Sequence, residues 1–383
     1  MVQKEFHDLV VSTYGRGLYI LDDITPLEQM ARHRSEAPVV LFEPRKTYRF
    51  VHGGEAMVNF SLDAAPKDPV KIEVLDSQGA SVRKLDAKDL VVGINRVKWD
   101  LRYDSPRLVA LRTVAPDNPH IWQEPRFWDE DSRPITHWGV KPAEVGPIVA
   151  PGIYTVRLTV AGHSYDQPLA VVSDPRAPGS EADIQLSVKT LLRIRDDISR
   201  VSDSVNQIEW LRKQLEVVET MLRPAKPHQK REAPLAEEGD EDDPEPAAAP
   251  PRALNPAEQQ ERTQLLEAAE SLDKKLQAVE AQLVERESRD SDDKYYVEPY
   301  GAYLNLIWLN AEVGTGGGDV AGSADFVPTA EQLDILQTLE GGVSGADADF
   351  HGILQHDLPA FNQSLERANL VPLTGGAGGP AGS

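Results

Sequence analysis

Apolar and polar positions follow three different periods along the chain, and each period predicts a different kind of element. Leu9-Val10-Val11-Ser12-Thr13 is a β-branched and apolar run and Leu18-Tyr19-Ile20-Leu21 resumes it as an apolar one, the two flanking Tyr14-Gly15-Arg16-Gly17, whose residues tolerate turn geometry. They predict a hairpin. Both strands are apolar on both faces, which suits a strand enclosed in a larger sheet better than a half-solvated ribbon. A two-stranded hairpin alone is marginal in water. Asp22-Asp23-Ile24-Thr25-Pro26 then turns toward a short helix over residues 26–34, so no third strand follows at once.

From Pro44 the period is two. Val70-Lys71-Ile72-Glu73-Val74-Leu75 and Val97-Lys98-Trp99-Asp100-Leu101-Arg102 alternate apolar residues with charges, as strands packed on one face do. Asp76-Ser77-Gln78-Gly79 supplies a turn, with Asp first and Gly last. After Pro151-Gly152, the residues Tyr154, Val156, Leu158 and Val160 share one face, and Ala161-Gly162-His163-Ser164 turns the chain into a strand over residues 167–172. These strands predict an antiparallel β-sandwich over residues 45–176. It is interrupted by a proline-rich stretch, 105–146, that holds Trp122, Trp128 and Trp138. A loop of that length inside a compact domain is functional or tied to a neighbouring surface.

From Glu181 the period becomes helical. Leu191, Ile194, Ile198, Val201, Val205, Ile208, Leu211, Leu215, Val218 and Leu222 are spaced 3-4-3-4-3-3-4-3-4, nearly a heptad with one three-residue stammer, and Pro224 ends the run. A second stripe, Leu265, Ala269, Leu272, Leu276, Val279 and Leu283, lies on a helix from Pro256 to about Arg289. Two single-striped helices joined by one linker bury their stripes as an antiparallel hairpin. The linker, 224–255, is acidic and rich in proline and alanine, a composition that predicts disorder. Beyond it come a helical segment over 300–313, a glycine-rich break read as a flexible loop, and a helix opened by a capping box of Thr329 and Gln332. A last helical stretch, 349–369, is interrupted by Pro359, and residues 371–383 read as a disordered tail. The helical domain spans 181–370.

Composition narrows the partners. Against 40 lysines and arginines stand 62 acids, a net charge of −22, which repels nucleic-acid backbones and anionic membranes. With no cysteine, the chain has no disulfide, thiolate nucleophile or cysteine-ligated metal. No apolar run approaches the roughly 20 residues of a membrane span, and residues 1–8 lack the apolar core of a signal peptide.

Candidate chemistry is sparse. Gly342-Val343-Ser344-Gly345 has the wrong spacing for a nucleophile elbow, and Gly314 to Asp319 lacks the lysine of a phosphate loop. Asp22-Asp23 offers a pair of carboxylates for acid–base work, but neighbours on a strand point to opposite faces, and the structural reading is that they receive the NH groups of the following turn or cap the helix at Pro26. His120 and His137 lie seventeen residues apart, matching no regular ligand spacing. Trp122, Trp128 and Trp138 could stack on a sugar or a peptide, or pin their loop to the protein. No catalytic residue, metal or cofactor emerges.

The segments DLVVSTYGRGLYILDDITPLEQM, LFEPRKTYRF, GINRVKWDLRY, NPHIWQEPRFWDEDSRPITHWG and PGIYTVRLTVAG, continuing through LPAFNQSLERANL, resemble the C-terminal half of bacterial BNR-repeat, sortilin-like β-propeller proteins, which are often labelled glycosyl hydrolases. The resemblance implies a multidomain β-plus-α chain: a terminal propeller-blade hairpin and connector over 1–44, an immunoglobulin-like sandwich, then a helical hairpin or bundle. It implies that the remaining strands of the first sheet lie in a propeller this chain does not contain, and that export to the periplasm or outside is the family's usual placement. The aspartate-box repeat Ser-x-Asp-x-Gly-x-Thr-Trp is absent, so no family catalytic residue carries over. The expected function is a non-catalytic accessory region that meets a separately encoded propeller or another protein through the edge strand 9–21 and the helical hairpin. The alternatives are a sialidase-like glycoside hydrolase or a carbohydrate-binding protein whose groove lies mainly in absent blades.

Overall fold

A computed structural model describes residues 1–32, 37–50, 53–115, 130–135, 145–223, 255–285, 301–317, 320–323 and 325–375. The fold mixes β-sheet with α-helix. Two compact units divide the chain: one holds residues 1–108, 136–202 and 294–343, the other 109–135, 203–293 and 344–383. The linker predicted to be disordered lies, up to residue 254, outside the described residues.

The first unit opens with strands β1 (Val2–Gln3), β2 (Asp8–Ser12) and β3 (Leu18–Leu21), which form a three-stranded sheet in that order, followed by helix α1 (Thr25–Arg32). β1 went unforeseen because two residues carry no period. The next strands are β4 (Val39–Leu41), β5 (Thr47–Arg49), β6 (Ala56–Leu62), β7 (Lys71–Leu75), β8 (Ser81–Leu85) and β9 (Gly93–Trp99). The short pair β10 (Ala110–Leu111) and β11 (Arg133–Pro134) belongs to the second unit, and β12 (Gly152–Val160) and β13 (His163–Ser173) return to the first. One sheet runs β5-β13-β12-β7-β8 and another β4-β6-β9. Every pairing in them is antiparallel except that of β5 with β13, which is parallel, a departure from the all-antiparallel expectation.

Alternation decides which side chains these two sheets bury. Val58, Phe60 and Leu62 from one sheet and Ile72, Val74, Val156, Leu158 and Leu169 from the other belong to a single apolar cluster. Apolar surface removed from water contributes about 25 cal/mol per Å², so this cluster stabilises the pairing of the two sheets. Trp99 is fully buried there, its ring 5.6 Å from that of Tyr154, its indole NH donating to Arg102 O. The turns follow their residues. Asp76 accepts from Gln78 and Ala80 NH with Gly79 at φ +82°, and Ala161-Gly162, both left-handed, close β12 onto β13.

Helix α2 (Glu181–Leu222) follows, then α3 (Pro256–Leu283), α4 (Ala302–Val313), α5 (Ala330–Gly352) and α6 (Leu358–Arg367). All sixteen stripe positions of α2 and α3 named above are buried. In the first unit α4 is apolar nearly all round and buried accordingly, with Ser187 donating to Val313 O and Arg193 pairing with Glu340. The predicted capping box opens α5: Gln332 NH donates to Thr329 Oγ1 and Thr329 NH to Gln332 Oε1. In the glycine-rich break after α4 the described residues are hydrogen-bonded, while Gly318 and Asp319 lie outside the described residues. Gly316 NH donates to Ala311 O and Ser323 NH to Gly314 O, and a Cβ on Gly322 would lie 2.2 Å from Gly316 N.

In the second unit α3 runs antiparallel to the end of α2, for Arg262 donates to Leu222 O while Arg212 pairs with Asp273 and Glu280. Glu209, fully buried, accepts from Arg212, from both Arg112 and Thr113 NH, and from the Thr113 hydroxyl. Burial alone raises its pKa, but Arg212 and the two NH donors outweigh it and hold the carboxyl below its ordinary value. Between α5 and α6 the backbone passes through a π-helical turn, Ile353–Asp357. Pro359 lacks an NH and crowds the carbonyl one turn back, and the widened turn absorbs the conflict without ending the helix. The segment read as a tail is held at its start: Asn362 exchanges hydrogen bonds with the Leu373 backbone, and Leu373 is buried.

Asp197, on α2 in the first unit, is partly buried, with one carboxylate oxygen lacking a hydrogen-bond partner among the described residues. Burial and then Glu340 raise its pKa to about 6, Asp196 adding to them, against the pull of Arg200 and Arg193. A raised pKa means that the folded state holds the proton more tightly than the unfolded chain. Stability therefore falls as pH rises from about 4 to about 6. Asp197→Asn removes this loss. Thermal unfolding should show the variant gaining on the wild type across that window and holding its lead above it; a constant or shrinking difference contradicts the assignment.

Candidate interaction surface

Among the described residues, the sheet at the start of the first unit presents the longest unbroken run of exposed apolar side chains. Its edge strand, β3, exposes Leu18 at 66%, Tyr19 at 66%, Ile20 at 58% and Leu21 at 50%. Successive residues on a strand point to opposite faces, so β3 is bare on both. Its register sets Leu18 opposite Ser12, Tyr19 opposite Val11 and Ile20 opposite Val10. β3 ends the sheet, so its outer edge also offers backbone NH and C=O groups to an incoming strand. The turn behind it is well made, with Thr13 NH donating to Gly17 O, Gly17 NH to Thr13 Oγ1, and Arg16 at φ +67°.

Such a small sheet is held in place by its root. Asp23 is 2% exposed, and its Oδ1 accepts from Thr25 NH and, at 2.6 Å, from the Thr25 hydroxyl. Its Oδ2 accepts from Asn59 Nδ2 at 2.9 Å. Asn59 lies on β6 directly across from Arg96 on β9. Arg96 donates Nε to Asn59 Oδ1, Nη1 to Asp22 O and Nη2 to Asp23 O. Asp8, on β2, closes the circuit by accepting from Asp23 NH. One buried carboxylate thus joins the leading sheet, the start of α1 and the β4-β6-β9 sheet.

A second root lies around β5. Arg45 donates to Phe6 O, pairs with Asp8 and sits 5.3 Å from the centre of the Phe6 ring. The Tyr48 hydroxyl donates to Glu5, which also pairs with Lys46 at 2.9 Å. These two neighbours lower the Glu5 pKa, the tyrosine hydrogen bond most. Phe6 meets Tyr48 edge-on at 5.9 Å, and Gln29 of α1 exchanges two hydrogen bonds with the Glu43 backbone.

Two clefts of about 440 and 260 Å³ flank Arg45 and Lys46. The larger holds His7 with its Nδ1 3.0 Å from Glu28, an ion pair if the ring is protonated, and Arg32 also pairs with Glu28. The charged groups here therefore largely answer one another, an arrangement suited to fastening the sheet.

Of the residues singled out in the sequence, Asp23 is engaged by three donors, the structural reading of the Asp22-Asp23 pair, while Asp22 is exposed. Trp122, Trp128, Trp138, His120 and His137 lie outside the described residues. Among the described residues no three histidine or acidic side chains are grouped to hold a metal, and no helix is long and apolar enough to cross a membrane. Asn59, Arg96 and Arg45 escaped sequence reasoning. The available signal was Asn59 itself, a polar residue inside the apolar run Ala56 to Leu62. Compared with family models, curated proteins and solved structures, the chain matches none.

Asn59→Leu keeps the volume but removes the donor to Asp23 and the acceptor of Arg96. It should cost about 1–3 kcal/mol, the penalty of a buried acceptor left unmade. Amide exchange should quicken over residues 8–25 more than over β7 and β12. Uniform acceleration, or none, would show that this side chain does not fasten the sheet.

Proposed function

We propose that this chain is a non-catalytic interaction region that completes a β-propeller of the BNR-repeat, sortilin-like kind. In this reading β2 and β3 are strands of a propeller blade, and the paired sheets behind them form an immunoglobulin-like brace. The observation that carries the proposal is the exposure of all four apolar residues of β3, at 50–66%, on a sheet whose root is firmly fastened. Strand addition uses such an edge: the backbone supplies affinity, and alternate side chains supply specificity.

Several features support the brace. β4 and β5 are consecutive, yet lie in different sheets, and β5 runs parallel to β13, the last strand. The order β5-β13-β12-β7-β8 against β4-β6-β9 is what an immunoglobulin-like Greek key produces when its first strand divides between sheets. Near the start of β12, the Tyr154 hydroxyl donates to Ala150 O at 2.7 Å, as in the tyrosine corner of such domains. Burial raises the Tyr154 pKa, which keeps the hydroxyl a donor. The paired charges of the root clefts favour attachment over glycoside hydrolysis.

Charged residues on β3 should block strand addition. In sedimentation velocity at rising concentration, the full chain should associate, and the double variant Leu18→Lys, Ile20→Lys should stay monomeric with its unfolding midpoint nearly unchanged. Unaltered association in the variant, or its unfolding, would mean that β3 is not a docking edge.

A further inference from the structure

A second feature of the first unit points to a ligand unrelated to strand docking. A narrow cleft is lined by Arg49, Arg102, Ile148, Leu191, Asn310 and Thr315, among others. Its free interior is about 20 Å³, room for one water-sized group. Arg49, on β5, is 2% exposed; it donates Nε to Val149 O at 2.9 Å and pairs with Asp325. Arg102 follows Leu101, whose left-handed φ of +59° ends the run of β9. Its Nη1 donates to Gly146 O at 2.8 Å. Among the described residues no carboxylate pairs with it, and no other acceptor meets its remaining guanidinium donors.

Charge and space together select the ligand. Arg49 and Arg102 both line the cleft; Asp325 pairs with Arg49, and the Asp100 carboxylate accepts from the Arg102 backbone NH. Burial lowers the Arg102 pKa most, Asp100 pulls the other way, and Arg49 and Arg83 add to the lowering, while among the described residues no carboxylate pairs with the Arg102 guanidinium to offset its charge. A water molecule would satisfy donors without offsetting that charge. An oxyanion with several oxygens needs more room than a single water site. We propose that this cleft binds one monovalent anion of halide size, chloride in practice, held by Arg102 with the Arg49 guanidinium close by. Its place between the β5 and β9 ends and the close of α4 makes it a structural ion that joins sheet to helix within this unit.

The test uses the full chain at constant ionic strength, with gluconate replaced stepwise by chloride or bromide and thermal unfolding followed. A bound halide raises the midpoint along a saturating curve. Arg102→Gln should weaken the halide affinity about tenfold or more, while Lys88→Gln, the same change of charge at an exposed lysine, should leave it intact. Sulfate stabilises proteins by exclusion and gives no saturation. A linear response to halide, or equal saturation in the Arg102→Gln chain, overturns the proposal. Should that variant fail to fold, anomalous scattering from wild-type crystals grown in bromide decides: a peak within hydrogen-bonding distance of Arg102 supports the site, and a cleft without one overturns it.

Discussion

The hydrogen-bonded circuit of Asp23, Asn59 and Arg96 is the constraint on which the leading sheet depends. An ionised carboxylate removed from water is costly unless its oxygens are satisfied, and here Thr25 and Asn59 satisfy both. The same asymmetry makes the circuit a strong fastener, because breaking one member leaves another buried without its partner. Three strands with exposed apolar faces would otherwise have little reason to keep one orientation. Asp23 itself adopts φ +51°, a left-handed conformation that aspartate tolerates better than most residues.

This arrangement explains why β6 is buried on both faces. Ala56, Val58, Phe60 and Leu62 point into the shared apolar core, and the intervening Met57 and Asn59 are covered as well. A strand inside one unit thereby receives cover on its second side, and the buried polar residue on that side is Asn59, the one that reaches Asp23. Stability and presentation are divided between the two sheets. The inner one supplies burial, while the outer one keeps its apolar residues in solvent. Native proteins ordinarily blunt such edges with charge or proline, and β3 carries neither.

The helices were the most legible part of the sequence. Their stripes recur every three or four residues over many turns, and Thr329 with Gln332 marks the start of α5 by backbone chemistry that tertiary packing rarely overrides, whereas Pro359 is carried through by a π-helical turn. The strands β7 and β12 were nearly as clear, since strict alternation records one dry and one wet face. Both-face apolarity in β2 and β3 was harder to interpret: it predicts burial, yet among the described residues β3 is exposed throughout and β2 is half-buried only over Asp8 to Val10. The fastening circuit was legible only in part: Asp23 reads locally as an acceptor for the turn that follows it, but its meeting with Asn59 and Arg96 depends on strand register and long-range packing. The parallel pairing of β5 with β13 was hidden for the same reason, since short runs show no direction of pairing.

The central claim is that a rooted sheet holds a bare apolar strand in solvent. Hydroxyl-radical footprinting of the isolated chain tests it most directly, because Tyr19, Leu18 and Ile20 react readily when accessible. The account predicts modification of these three at rates near those of an unfolded chain, while Phe60, Trp99 and Tyr154 stay protected. Protection of β3 to the level of that core would contradict it.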